Sequence, residues 1–145
     1  MTAAHTTHTF FSRTTHVALD IQAPIQLIWN VLCDVNEYNK WNPTIIAGRG
    51  NCQLGAKIEL ITNLAPTKTF RLTVKEFNPT SKLVLGNAMG SRTIVLTQTG
   101  EIVYFTMTEV IKGPLLPLFK RFIPPFDESF DIFALSLKTF CENQS

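Results

Sequence analysis

Charge is scarce in this sequence, and what there is carries almost no net sign. Asp, Glu, Lys and Arg make up 17% of the 145 residues, and 13 basic against 11 acidic side chains leave a net charge of +2. A globular domain usually has about a quarter charged residues. The basic side chains run from Arg13 to Lys138 without clustering, so the electrostatic footprint of a nucleic-acid binder is missing and no nucleic-acid partner is expected. Cysteine is just as sparse. Cys33, Cys52 and Cys141 are an odd number without C-x-x-C spacing, which suggests neither a disulfide framework nor a zinc site and fits a reducing compartment. The three histidines, His5, His8 and His16, all fall within the first 16 residues. They lack carboxylate or thiol partners that would fix a coordination geometry, so neither a metal nor a cofactor is expected. Long hydrophobic runs are also absent. The N-terminus has no basic region followed by an apolar stretch, and the apolar stretch Gly113 to Phe119 is far shorter than the ~20 residues of a spanning helix. A cytoplasmic protein without stable membrane insertion is expected.

What the sequence does have is apolar bulk. Hydrophobic residues reach 45%, eleven of them Phe, which excludes a largely disordered chain and implies a sizeable core. The length fits one domain. Residues 1–13 are rich in Thr and His, carry no period and are expected to form a flexible arm. The domain proper then covers 14–145. Val17, Leu19 and Ile21 alternate with His16, Ala18 and Asp20 as in a half-buried strand. After Ala23-Pro24, the residues Ile25, Ile28, Trp29 and Leu32 mark one face of a short helix, with a second helical turn at Asn36 to Lys40. Asn42 precedes Pro43 and should be extended.

From Thr44 to Lys112 the pattern is one of successive strands. Ala56, Ile58 and Leu60 alternate, then Phe70, Leu72 and Val74, and the pairs Met89-Gly90 and Thr99-Gly100 mark tight reversals. Such short connections require antiparallel pairing. Beyond Pro124-Pro125 an unbroken helical run from Asp127 to about Asn143 carries a stripe of Phe126, Phe130, Phe133, Leu137 and Phe140 or Cys141.

This order, with these residues, resembles the START-like superfamily, also called SRPBCC or the polyketide cyclase/dehydrase and lipid-transport group. The resemblance rests on Ile21-Gln22-Ala23-Pro24, Trp29, Leu32, Asp34, Tyr38 and Trp41-Asn42-Pro43, and later on Glu109, Gly113, Phe130, Leu137-Lys138 and Glu142. It spans Val17 to Glu142. It implies an α+β helix-grip fold in which an antiparallel sheet of about seven strands wraps a long C-terminal helix, with two short helices after the first strand. It also implies a cavity between sheet and helix, used by different members for different ligands, so the site must be read from its own residues.

By analogy with the family's alternation, Val103, Phe105, Met107 and Glu109 look inward. Several relatives carry His where Met107 stands, and this departure removes the most plausible proton-transfer group. Glu109 is then the one candidate for acid or base work, or a carboxylate that pairs with a nearby Arg or backbone amide and orders the end of the cavity. Arg92 shares an alternation class with Ile94 and Leu96; it is a partner for Glu109 or a ligand carboxylate if that class faces inward, and a solvated edge residue if the register is reversed. The turn at Met89-Gly90 favours the solvated reading. Asn87, in the class of Leu83, Leu85 and Met89, either satisfies a backbone group or orients a ligand carbonyl. Phe126, Phe130, Phe133 and Leu137 form the apolar wall, and Phe70, Leu72 and Leu85 complete the candidate lining.

The leading functional expectation is binding or carriage of a hydrophobic small molecule, whether lipid, polyketide or aromatic. The alternatives are a cyclase-like enzyme using Glu109, and a protein-interaction module using the outer sheet face. The proline-rich segment 114–126 is either a bent lead-in to the long helix or a gate that touches a membrane transiently, with Lys120-Arg121 meeting head groups.

Overall fold

A computed structural model describes residues 1–119 and 123–144. Lys120 and Arg121, on which part of the gate reading rested, lie outside the described residues. Eight strands form one antiparallel sheet: β1 (Thr2–Thr9), β2 (Ser12–Ile21), β3 (Ile45–Arg49), β4 (Lys57–Thr62), β5 (Phe70–Asn78), β6 (Lys82–Gly86), β7 (Gly90–Thr99) and β8 (Ile102–Lys112). Their order across the sheet is β1-β2-β8-β7-β6-β5-β4-β3. Helices α1 (Ile25–Cys33) and α2 (Tyr38–Trp41), joined by a 3₁₀ turn (Val35–Glu37), carry the chain from β2 to the far edge of the sheet. Helices α3 (Leu116–Phe119) and α4 (Asp127–Gln144) follow β8. This is the expected α+β helix-grip architecture with one strand more.

The extra strand corrects the expected flexible arm. Residues Thr2–Thr9 pair with β2, with Thr6 opposite Thr15 and His5 opposite His16. A Thr-rich stretch has high strand propensity even without apolar alternation. What ties it down comes from far along the chain: the Ala4 amide donates to Asp131 Oδ1 at 2.7 Å, and the Thr6 hydroxyl donates to the Asp127 carboxylate. Both acceptors are on α4.

The entry to β3 follows the local chemistry anticipated for Asn42-Pro43. Asn42 is extended, and its Oδ1 accepts from the Thr44 amide at 2.9 Å and the Thr44 hydroxyl at 2.7 Å. This side-chain turn redirects the chain into the sheet. The core gathers α1, α2 and α4 against one sheet face: Ile28, Trp29, Leu32, Tyr38 and Trp41 meet Phe130, Phe133, Leu137 and the inward residues of the strands. The helical stripe is as expected, with Ala134 and Cys141 buried beside it.

Candidate functional site

Register turns the strand alternation into rows that cross the inner face of the sheet. Leu19, Phe105 and Leu96 form one row, and Val17, Met107 and Ile94 the next. All six are buried. The third row is polar: Thr6, Thr15, Glu109 and Arg92 stand side by side on β1, β2, β8 and β7, with Leu85 of β6 beyond. The inner face therefore runs from apolar to charged, and its charged end lies beneath the first turns of α4.

Arg92 faces inward, correcting the expectation that the Met89-Gly90 turn would leave it solvated. Gly90 already belongs to β7, and the Lys112 amide donates to the Met89 carbonyl at 3.1 Å, so pairing with β8 fixes the register ahead of Arg92. Its Nε lies 3.4 Å from Glu109 Oε1 and its guanidinium sits 5.0 Å from the Phe130 ring centroid. The Nε is buried, with an ion-pair contact but no hydrogen bond among the described residues. Glu109 thus has the arginine partner that one of its two readings called for.

A second guanidinium completes the cluster. Arg13, buried on β2, donates to the Ile123 carbonyl at 3.0 Å and the Pro124 carbonyl at 2.9 Å, and stacks 4.7 Å from the centroid of Phe126. Burial pulls the Arg13 guanidinium below its usual value, while the Glu109 and Asp127 carboxylates pull it back up. Phe126 and Phe130 are stacked at 6.2 Å and 7°, so two cations cover two rings that are themselves in contact. Sequence reasoning assigned Arg13 to the arm and missed it. Its signal was positional: it lies two residues before Thr15 on the inward class of the first recognised strand.

Of the remaining expected lining residues, Leu85, Phe105, Met107, Phe133 and Leu137 are buried in the common core. Phe105 stacks on Phe133 at 6.3 Å and 11°. Leu72 and Phe126 are half-buried against that core. Phe70 is half-buried opposite Leu60, with the Lys68 ammonium 4.8 Å above its ring. Asn87 does not join them. It is exposed beyond the end of β6, and its Oδ1 accepts from the Met89 amide at 2.9 Å and the Gly90 amide at 3.2 Å. It is a turn residue that satisfies backbone amides, the first of its two readings, and not the ligand-orienting amide of the second.

Among the described residues, clefts open on the surface away from this cluster. One of about 630 Å³ lies between Phe11, Ala88 and Gly113-Pro114, and one of about 480 Å³ between Ala23-Pro24 and Gly100-Glu101. His16 is on the outer face, its Nδ1 2.7 Å from Thr108 Oγ1 and its ring 5.6 Å from that of His5.

No protein-family model and no curated protein matches this sequence. Solved structures do. A START superfamily protein from Mycobacterium smegmatis superposes with a TM-score of 0.69 at 13% identity, over 91% of this chain and 99% of its own. The fold is START-like. The di-domain ARO/CYC StfQ from the steffimycin biosynthetic pathway gives 0.68 at 13% identity over 93% of this START-like chain and 52% of its own. The Aha1 dimer from Colwellia psychrerythraea gives 0.68 at 15% identity, over 89% and 96%. Superpositions at such low identity show the fold alone and leave the choice of ligand to the residues described above.

Proposed function

We propose that this START-like domain binds a hydrophobic small molecule between the inner sheet face and α4, with Arg92 and Glu109 meeting the polar end of the ligand. The observation that carries this reading is the ordering of the rows: two apolar rows end in a charged one that holds a buried, incompletely used donor, Arg92 Nε. An apolar body with one polar terminus complements that gradient. The likeness to a START superfamily protein and to an ARO/CYC of a biosynthetic pathway supports the same class of ligand. The core side chains are in mutual contact, so entry requires Phe126 and Phe130 to move with the start of α4, and Arg13 is the strap that restrains that movement.

Native mass spectrometry of freshly purified protein tests the proposal directly, with an environment-sensitive fluorescent probe as the quantitative readout. A co-purified apolar ligand, or saturable probe binding that the ligand displaces, is the expected result. A protein that comes off the column empty and binds no apolar probe refutes it.

Two substitutions refine it. Arg13→Met keeps the apolar stem but removes two charge-assisted hydrogen bonds, and is expected to cost about 3 kcal/mol while speeding probe uptake in stopped-flow mixing. Unchanged uptake would mean that Arg13 restrains nothing relevant to entry. Glu109→Gln preserves shape and hydrogen bonding, so the fold should persist and probe affinity should change by less than about tenfold. A proton-transferring Glu109 would instead lose roughly 10² to 10⁴ in turnover with binding intact. Pairing with Arg92 supports the first outcome, because the arginine holds the carboxylate as a charge partner.

A further inference from the structure

Exposed apolar side chains gather at one end of the sheet. The β1–β2 turn presents Phe10 and Phe11, 67% and 51% exposed, with their rings edge-on at 4.7 Å. Strand register brings the β6–β7 turn and the exit of β8 to the same end, since Ser12 pairs with Lys112 and Gly90 with Ile111. Backbone hydrogen bonds tie the three together: the Gly113 amide donates to the Phe11 carbonyl at 3.0 Å and the Lys112 amide to the Met89 carbonyl at 3.1 Å. Met89, Leu115 and Leu118 are exposed here as well, and the cleft beside Phe11 opens between these turns. Single exposed apolar residues are ordinary, but a cluster of them on adjoining turns marks a surface that meets something. The charges of this end have one sign. β4 runs toward it, as β6 and β8 do, so the β4–β5 loop opens here too. Residues 9–12, 63–69, 87–89 and 112–118 contain Lys68 and Lys112 and no Asp or Glu. On the first turns of α4, Asp127 and Asp131 are taken up by β1, and Glu128 is the exposed acid. The opposite end holds Asp20, Glu101 in the β7–β8 turn, and Glu142, which accepts from the Gln22 amide.

We propose that this end of the sheet docks on an anionic lipid surface, with Phe10, Phe11, Leu115 and Leu118 entering the apolar boundary and Lys112 meeting the head groups. Turn tips with a cleft between them offer a protein partner no continuous face to pack on, whereas acyl chains and head groups fill such relief. The one-signed charge complements anionic head groups, and two lysines give a reversible attachment. Depth is limited by the same geometry, because only turn tips protrude and no described helix is long and apolar enough to cross a membrane. Docking here has a consequence for ligand entry. Arg13, the residue after Ser12, holds the Ile123 and Pro124 carbonyls and covers Phe126 at this end, so the segment that must move would stand at the lipid boundary. That consequence rests on the cavity reading above; docking itself does not.

The test is flotation of the full chain with phosphatidylcholine vesicles, with and without about a third of phosphatidylserine. No cavity ligand is present, so the result stands apart from that of probe binding. Saturable binding to the anionic vesicles is expected, weakened by added salt and by leaving out phosphatidylserine. The double substitution Phe10→Ser and Phe11→Ser should weaken it by about tenfold or more, because two rings no longer leave water. Lys112→Gln should weaken it about fivefold, on the anionic vesicles alone. Tyr104→Ser, which removes an exposed ring near the opposite end of β8, should leave it unchanged. The Phe10, Phe11 and Lys112 side chains are exposed, and circular dichroism checks that each variant keeps the fold. A parent protein that fails to float with anionic vesicles overturns the proposal, as does binding that survives loss of both phenylalanines. A dimer in sedimentation velocity that the same double substitution disperses also overturns it, since the patch then belongs to a second copy of the chain.

Discussion

Replacing Trp41 with alanine is expected to cost about 3–5 kcal/mol, a large share of the stability of a domain of this size, and to lower the Tm by roughly 10–15 °C. Trp41 fills the junction of α2 with α4. Its ring lies 5.1 Å from Tyr38 and 5.2 Å from Phe133, both edge-on, and 6.5 Å from Phe140 in a stacked arrangement. Truncation to a methyl group would leave these three rings facing a void that none of them can fill without leaving its own contacts. The loss is one of packing and not of hydrogen bonding, because the buried indole Nε1 has no hydrogen-bond partner among the described residues. Trp41→Phe should therefore recover most of the stability, since it discards an unsatisfied N–H along with some volume. Urea unfolding of the two variants separates the terms. An alanine variant as stable as the parent would contradict the placement of Trp41, and a phenylalanine variant as unstable as alanine would mean that the indole nitrogen matters after all.

Legibility in the sequence tracked the range over which each feature is determined. β8 could be read because Val103, Phe105 and Met107 alternate with exposed or half-exposed neighbours along one strand, and α4 because its buried stripe repeats at the helical period. Both patterns are local. β1 was invisible because its sequence is polar on both faces, and its order depends on Asp127 and Asp131, brought over it by α4. Arg92 and Asn87 were misjudged at the same reversal: the alternation of β6 was carried past Gly86, where the strand ends, and the turn was assumed to loosen the start of β7. A turn signal gives the place of a reversal but not the residue at which pairing resumes.

Phe130→Asp is expected to abolish probe binding, weakening it by about a hundredfold or more, while Phe130→Leu leaves affinity within about tenfold of the parent. Phe130 lies where the apolar rows give way to the charged one: it is 1% exposed, stacked on Phe126 and covered by the Arg92 guanidinium. An aspartate there removes the ring from beneath Arg92 and puts a carboxylate in its place. That carboxylate has two ways to lower its cost. It can admit water, which ends the dry wall, or it can pair with Arg92, which takes the arginine from Glu109 and from any ligand. Either route defeats binding of an apolar molecule with a polar terminus, and the second predicts partial rescue by Glu109→Gln in the same chain, since the displaced glutamate no longer needs a partner. Leucine keeps the wall apolar and loses only the ring contacts. Circular dichroism must first establish that the aspartate variant is folded, and Phe126→Asp, at a half-buried position one turn earlier, is the fallback if it is not. Undiminished probe affinity in either folded variant would take the Phe126 and Phe130 pair out of the lining and move the search for a ligand to the surface clefts beside Phe11 and Pro24.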